Sequence, residues 1–273
     1  MGEPGSGRRG QGGVVGLTTA PSTLPPLVTR QRNLILATLL VLAVVGWVVF
    51  LNGADGEMAM GDDMGPDLTM GYSWPLFLTM WVAMMVAMMF PAAAPMVLMY
   101  ARMRRSDPPS VVLFTASYIV LWVVFGGVAY LVSAGVEDGA SRSEWIARNW
   151  GRAGGALLVL AGLYQLTPLK NVCLRHCRTP LAFVMTKWRD GRWGAVRMGF
   201  VHGVYCMGCC WLVFLIVVPL GMMNVAAMVA VAALVFAEKV LPFGRAVGLA
   251  AAAVLIVYGI AVMAEPDLLP TVA

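Results

Sequence analysis

All five cysteines and both histidines of the 273-residue chain lie between Cys173 and Cys210. They form two motifs, CLRHC at residues 173–177 and HGVYCMGCC at residues 202–210. Thiolate and imidazole groups bind soft and borderline metal ions, above all Cu(I) and, where four ligands meet, Zn(II). The concentration of these ligands in one stretch predicts a metal-binding region.

The second motif suits a metal site inside a helix. The spacing i, i+4 and i+7 puts His202, Cys206 and Cys209 on one narrow helix face, with Cys210 about 40° further round. At ~1.5 Å per residue, Cys206 falls ~18 Å along the predicted helix, near the middle of a bilayer. The alternative is that the cysteines and glycines only allow helices to pack closely. We favour a metal site, because ionisable residues such as histidine within hydrocarbon are usually functional.

The first motif predicts a second group of ligands. On a helix, Cys173, His176 and Cys177 share one face, and this face lies at the cytoplasmic end of the preceding predicted span. Basic neighbours favour the thiolate form that a metal needs. The alternative is a redox-sensitive or structural cysteine pair. The difference in depth from Cys206 favours two separate metal sites, since one shared site requires segment 170–193 to fold back into the bundle.

Methionine supplies a further soft ligand, and the chain has 20 of them. Eight lie in one predicted span, on about half of its circumference: Met80, Met84, Met85, Met88, Met89, Met96, Met99 and Met103. Of these we predict Met84 and Met88 as metal ligands, because thioethers select Cu(I). Met58, Met60 and Met64 belong to an acidic segment, MAMGDDM. We predict that this segment lies outside the cell and captures the ion there. The alternative is a stripe that only fills the core.

Two charged residues lie near the inner end of an apolar predicted span. Lys239 is expected to extend its ammonium group to the membrane interface, whereas Glu238 needs a partner within the protein. Glu238 could accept protons or orient His202 through a hydrogen bond. The alternative is an ion pair with an arginine such as Arg197 or Arg245.

The composition is that of a membrane protein. Hydrophobic residues make up 60% of the chain, charged residues make up 12%, and the mean hydropathy is +0.79. We predict an all-α polytopic bundle with about seven spans, at residues 34–51, 74–103, 111–133, 153–169, 194–218, 222–241 and 246–264. Loop charges alternate between basic and acidic, which puts the N-terminus in the cytoplasm and the C-terminus outside. An odd number of cysteines argues against a disulfide framework.

One domain accounts for most of the chain. Residues 1–33 are predicted to be a disordered basic tail, residues 34–265 a single transmembrane domain, and residues 266–273 a short tail. The net charge of +5 does not indicate nucleic-acid binding, because the basic residues lie beside apolar segments. There they set orientation and contact anionic lipid headgroups.

Several segments carry a family resemblance: WVAMMVAMMFPAAAPMVLMY, GLYQLTPLKNVCLRHCRTP, GFVHGVYCMGCCW, PLGMMN and the EK pair before Pro242. Over about residues 70–245 the chain resembles the bacterial predicted metal-binding integral membrane protein family, a domain of unknown function sometimes labelled copper-chaperone-like. The resemblance implies a location in the bacterial inner membrane. It also implies these metal ligands: Cys173, His176, Cys177, His202, Cys206, Cys209 and Cys210.

The sequence therefore predicts an integral membrane protein that binds Cu(I), with Zn(II) as the alternative ion. We expect it to pass copper to a partner such as a copper chaperone or a copper-enzyme subunit, and a non-catalytic role is favoured. One alternative is a membrane-embedded copper oxidoreductase or oxygenase, or a subunit of one, for which two histidines are few. Another is a non-catalytic assembly subunit in which the cysteines only pack helices.

Overall fold

The computed structural model describes residues 2, 26–57, 68–69, 71–104, 107–221 and 224–270. Over these ranges the regular structure is helical and contains no strand, which confirms the all-α class. The helices are α1 (Pro26–Glu57), α2 (Trp74–Met103), α3 (Pro108–Arg142), α4 (Glu144–Leu166), α5 (Pro168–Arg178), α6 (Pro180–Lys187), α7 (Gly191–Leu215), α8 (Val217–Leu220), α9 (Val225–Val240) and α10 (Gly244–Ala264). A 3₁₀ turn at Pro266–Leu268 follows α10.

Within the described ranges, five helical segments are long and apolar enough to cross a membrane. They are residues 29–53 of α1, then α2, α3, α7 continued through α8, and α10. The bent pair of α4 and α5 brings the number to six if it forms one span. Helix α9 has 16 residues, fewer than the ~20 that a perpendicular span needs. The chain is therefore a helical protein with several possible spans, while seven spans and their orientation stay predictions.

The first helix starts earlier than the sequence suggested. Helix α1 begins at Pro26, whereas the first span was predicted from Leu34 and residues 1–33 were expected to be disordered. Proline suits the first helical turn because it has no N–H to leave unpaired there. Most of the predicted tail, and also Met58, Met60 and Met64, lie outside the described residues.

A sharp break separates α4 from α5 and sets the direction of α5. Thr167 is extended, with φ −70° and ψ 148°, because a residue before proline is disfavoured in the helical conformation. Pro168 then starts α5, and the Thr167 hydroxyl accepts a hydrogen bond from the Lys170 N–H at 3.3 Å. The two helix axes differ by 64°. As a result α5 turns away from α4 and packs against α7 and α9.

Glycines allow α4 and α10 to approach closely. A Cβ built on Gly155 would lie 2.8 Å from the carbonyl oxygen of Gly259, and one built on Gly259 would lie 2.7 Å from the carbonyl oxygen of Gly155. Only glycine fits at both positions without a shift of the backbones. Such small-residue contacts are the usual basis of helix association in lipid, where apolar side chains gain little from each other.

Candidate metal centre

The cysteines of the two motifs meet in the core. Cys177, near the end of α5, packs against the core cluster that contains Cys206 and Cys209 of α7. None of the five cysteines forms a disulfide, and Cys206 and Cys209 are each 1% exposed. The cysteines of the two motifs therefore lie in or against one cluster, while two separate metal sites, or one shared site, stay predictions. The physical reason for this packing is the break at Pro168, which returns α5 to the bundle.

The thiols of α7 differ in their hydrogen bonds. Cys209 and Cys210 both donate to the backbone carbonyl of Cys206, at 3.0 and 2.8 Å. Their protons are thus directed back onto their own helix. The sulfur of Cys206 instead meets side chains from two other helices, which makes it the central sulfur atom of the cluster.

Two polar groups contact the Cys206 sulfur. The Lys239 Nζ lies 3.0 Å from it, and the Tyr118 hydroxyl lies 3.2 Å from it. The same Nζ lies 3.8 Å from the sulfur of Met89. The prediction that Lys239 extends to the membrane interface is wrong: its side chain is buried in the bundle because the cysteine sulfur accepts its hydrogen bond. Sequence reasoning also missed Tyr118, which no motif marks.

The rest of the first motif is divided between the interior and the surface of the bundle. Cys173 is buried against α7, where a Cβ on Gly208 would lie 2.8 Å from the Cys173 sulfur. His176 is half-buried and stacks on Tyr205, with ring centres 4.0 Å apart and the planes 4° from parallel. Its Nδ1 is 2.9 Å from the carbonyl oxygen of Val172. His176 is thus engaged by a ring and a backbone group, while the two cysteines face α7.

His202 lies among aromatic rings, one helical turn before Cys206. Its ring centre is 5.4 Å from that of Tyr118, 5.6 Å from Phe183 and 6.0 Å from Phe114. The side chain is 3% exposed, and neither ring nitrogen has a hydrogen-bond partner in the part of the chain that the structure describes. Imidazole without a partner is costly to bury, so two free nitrogens in the core are a functional signal.

Glu238 pairs with a lysine that the sequence did not suggest. The Lys170 Nζ donates to both Glu238 carboxylate oxygens, at 2.7 and 2.6 Å, and both side chains are buried. The predicted alternatives, Arg197 or Arg245, are not the partner. Lys170 is buried because α5 starts inside the bundle and carries this side chain inward.

The methionines of α2 join the same core. Met84, Met85, Met88 and Met89 belong to one hydrophobic cluster with Cys173, Cys206, Cys209 and Cys210. Helix α2 continues through Pro91 and Pro95, so its methionines can be compared on one continuous helix, as the sequence prediction assumed. The predicted ligands Met84 and Met88 therefore lie in the cluster that holds the thiols, whereas Met103 is exposed.

The side chains of this cluster carry soft sulfur atoms. Among the side chains that the structure describes, no three from His, Cys, Asp and Glu are arranged to hold a metal ion. Cys177 nevertheless packs against the core cluster that contains Cys206, Cys209 and the methionines of α2. Thiolate and thioether select Cu(I), and structural Zn(II) would need four converging ligands.

Comparison with known proteins agrees with these donor atoms. The model of a family described as PpoB2, copper chaperone, matches residues 78–262. This range includes both cysteine motifs, most of α2 and the adjacent residues Glu238 and Lys239. No curated protein and no solved structure matches the chain. The match covers well over half of the sequence, so the chain belongs to the PpoB2 copper-chaperone family.

Proposed function

We propose that this protein is an integral membrane copper carrier, which holds one Cu(I) ion on the sulfur atoms of Cys177, Cys206 and Cys209 and passes it to a partner. The observation that carries the proposal is the packing of the first-motif cysteines, Cys173 and Cys177, in and against the core cluster that contains Cys206 and Cys209. It brings ligands from two helices, and from both sequence motifs, to one place. Family membership supports copper as the ion.

The site is suited to exchange as well as binding. Cys177 is the second-to-last residue of α5, a short helix that a break separates from α4. Cys206 and Cys209, in contrast, lie inside the long helix α7 and are fixed by it. A ligand at a helix end can move without disturbing the helix that holds the other two. Multiple sulfur ligands of similar strength also let an ion pass between them in small steps.

Further residues are proposed to serve the route of the ion. Met84 and Met88 would offer thioether contacts from α2, and Met58, Met60 and Met64 would capture copper outside. His202, whose ring nitrogens have no hydrogen-bond partner among the described residues, would receive the ion on the cytoplasmic side of the thiols. Cys173, Cys210 and His176 would then complete the exit toward a copper chaperone or a copper-enzyme subunit.

The proposed location is the bacterial inner membrane, with seven spans, the N-terminus in the cytoplasm and the C-terminus outside. Support comes from the charge of the loops. The region from α5 to the start of α7 carries an excess of basic residues, which the positive-inside rule assigns to the cytoplasm. Fusion of a reporter that is active on one side of the membrane, at each terminus in turn, tests this orientation.

Elemental analysis with X-ray absorption on detergent-purified protein tests the proposed function. We expect about one copper per chain, bound to two or three sulfur atoms, and its loss in Cys206→Ser and Cys177→Ser. Met103→Leu is the matched control, since Met103 is an exposed sulfur residue outside the cluster. Unchanged copper in Cys206→Ser would contradict the proposal. Zinc bound by four sulfur atoms would replace copper as the ion.

A further inference from the structure

Lys239 lies where a metal ion bound to Cys206 would be expected. Its Nζ is 3.0 Å from the sulfur of Cys206 and 3.8 Å from the sulfur of Met89. A metal–thiolate bond is about 2.3 Å long, so an ion on Cys206 would occupy much of the space that the ammonium group now fills. The amine therefore lies between a thiol sulfur and a thioether sulfur, the two kinds of ligand that select Cu(I).

This ammonium group has no carboxylate partner among the residues that the structure describes. Glu238, its neighbour in sequence, is paired with Lys170 on α5. A buried ammonium group without a carboxylate is costly, and intramembrane charges of this kind are usually retained for function. Packing alone would be served better by leucine or methionine at this position.

We propose that the Lys239 ammonium group is a tethered cation that occupies the position of Cu(I) between Cys206 and Met89, and that it displaces copper when the ion is released. This inference rests on the proposed function, because it concerns the same thiol cluster. The ammonium group stays charged throughout: arriving Cu(I) pushes it aside, and it returns as the ion departs. Two cations cannot share this place, since their repulsion is little screened in the interior.

The exchange keeps the site easy to empty. While the ammonium group contacts the sulfur atoms of Cys206 and Met89, it takes the place of the ion between them. After Cu(I) has pushed it aside, the ammonium group stays tethered nearby and competes with the ion for this place. Removal of the Lys239 charge should therefore slow the release of Cu(I), so that the site stores the ion and no longer transfers it.

The experiment measures release of Cu(I) from the full-length protein in detergent. Anaerobic protein is loaded with one Cu(I) per chain and mixed with a chromogenic Cu(I) chelator in a stopped-flow instrument. Lys239→Met replaces the ammonium group with a thioether of similar length, and we expect its release to be at least about tenfold slower than wild type. Lys187→Met makes the same change at an exposed lysine of α6 and should release copper at the wild-type rate.

Two further variants make the result specific. Lys239→Gln removes the charge without adding a sulfur ligand, and it should also slow release, by less than Lys239→Met. In the double variant Lys239→Met with Met89→Leu, part of the slowing should disappear because the second thioether is gone. X-ray absorption of loaded Lys239→Met should show one more sulfur neighbour than wild type.

The outcomes separate this inference from the proposed function. If wild type binds one Cu(I) that depends on Cys206, but Lys239→Met and Lys239→Gln release it at the wild-type rate or faster, the tethered-cation inference is overturned and the copper site stands. If wild type takes up no Cu(I), or Cys206→Ser takes up as much as wild type, the proposed function fails first.

Discussion

Lys170 of α5 and Glu238 of α9 form an ion pair from which water is excluded. The side chains are 2% and 3% exposed, and a Cβ on Gly248 of α10 would come within 3.0 Å of the carboxylate. The pair joins the start of α5 to α9, one residue before Lys239. It therefore fixes the short helix that carries Cys173 and Cys177 onto α7.

Glu238→Gln should destabilise the protein strongly. Removal of one member leaves the Lys170 charge buried without a partner, which costs about 3–5 kcal/mol. We expect a lower midpoint of thermal unfolding in detergent and a loss of bound copper, because α5 is no longer held in place. In the double variant Lys170→Met with Glu238→Leu, both charges are absent, and most of the stability should return. A double variant as unstable as Glu238→Gln would show that the pair itself is not the cause.

Gly208→Ala should push α5 away from α7. The added Cβ would lie 2.8 Å from the Cys173 sulfur, and overpacking of this kind typically costs about 1–3 kcal/mol. Gly135→Ala in α3 is the matched control, because nothing lies within 4 Å of its Cβ, and it should raise stability by roughly 0.5–1 kcal/mol. Unfolding in denaturant measures the change in the free energy of unfolding for both variants. Equal effects at the two positions would mean that the contact with Cys173 does not limit the approach of α5.

Mild oxidation should link α5 to α7. Cys177 packs against the cluster that contains Cys206 and Cys209, so an agent such as diamide should join its thiol to one of theirs within a single chain. Protease digestion followed by mass spectrometry identifies the pair, and bound Cu(I) should protect against its formation. Disulfides only between chains would contradict the placement of Cys177.

His202→Phe should keep the fold while it slows copper transfer. Phenylalanine preserves the stacking on Tyr118 and Phe114 and removes two unpartnered nitrogens, whose burial costs about 1–3 kcal/mol. We therefore expect wild-type or higher thermal stability together with slower release to the chelator. A destabilised variant, or an unchanged release rate, would show that the imidazole has only a packing role.

Met84→Leu with Met88→Leu tests the thioether contacts of α2. Exchange of methionine for leucine in a core usually costs less than about 1.5 kcal/mol per site, so the fold should persist. If the stripe binds copper, retention of the ion during dialysis should fall, while Met103→Leu should behave as wild type. Full retention in the double variant would assign these two methionines to core filling alone.

The helical class and the positions of most helices could be predicted from hydrophobic runs and from proline and glycine. The clustering of possible ligands in the cysteine motifs is visible in sequence, but metal binding by these motifs stays a prediction. The depth of Cys173 and Cys177 could not, because it depends on the 64° break between α4 and α5. A proline predicts that a helix is interrupted, but the direction of the next helix is decided by tertiary contacts.

The polar contacts of the core were the hardest to predict. Lys239 was predicted to extend to the membrane interface, because a lone lysine near a helix end usually does so, and no sequence pattern indicated that Lys170 is buried. Each is buried because a specific partner from a distant part of the chain, Cys206 or Glu238, accepts its hydrogen bonds. Sequence order alone does not reveal such pairs.

The shortness of α9 has a consequence for the surrounding lipid. A 16-residue helix rises about 24 Å, whereas the hydrocarbon layer is about 30 Å thick. If α9 crosses the bilayer, as the proposed seven-span arrangement requires, the lipid packed against its outward side chains must thin or draw headgroups inward to relieve this hydrophobic mismatch. In that arrangement the permeability barrier would be narrowest beside α9, and the proposed copper ion would have the shortest distance to travel to water on this side of the bundle.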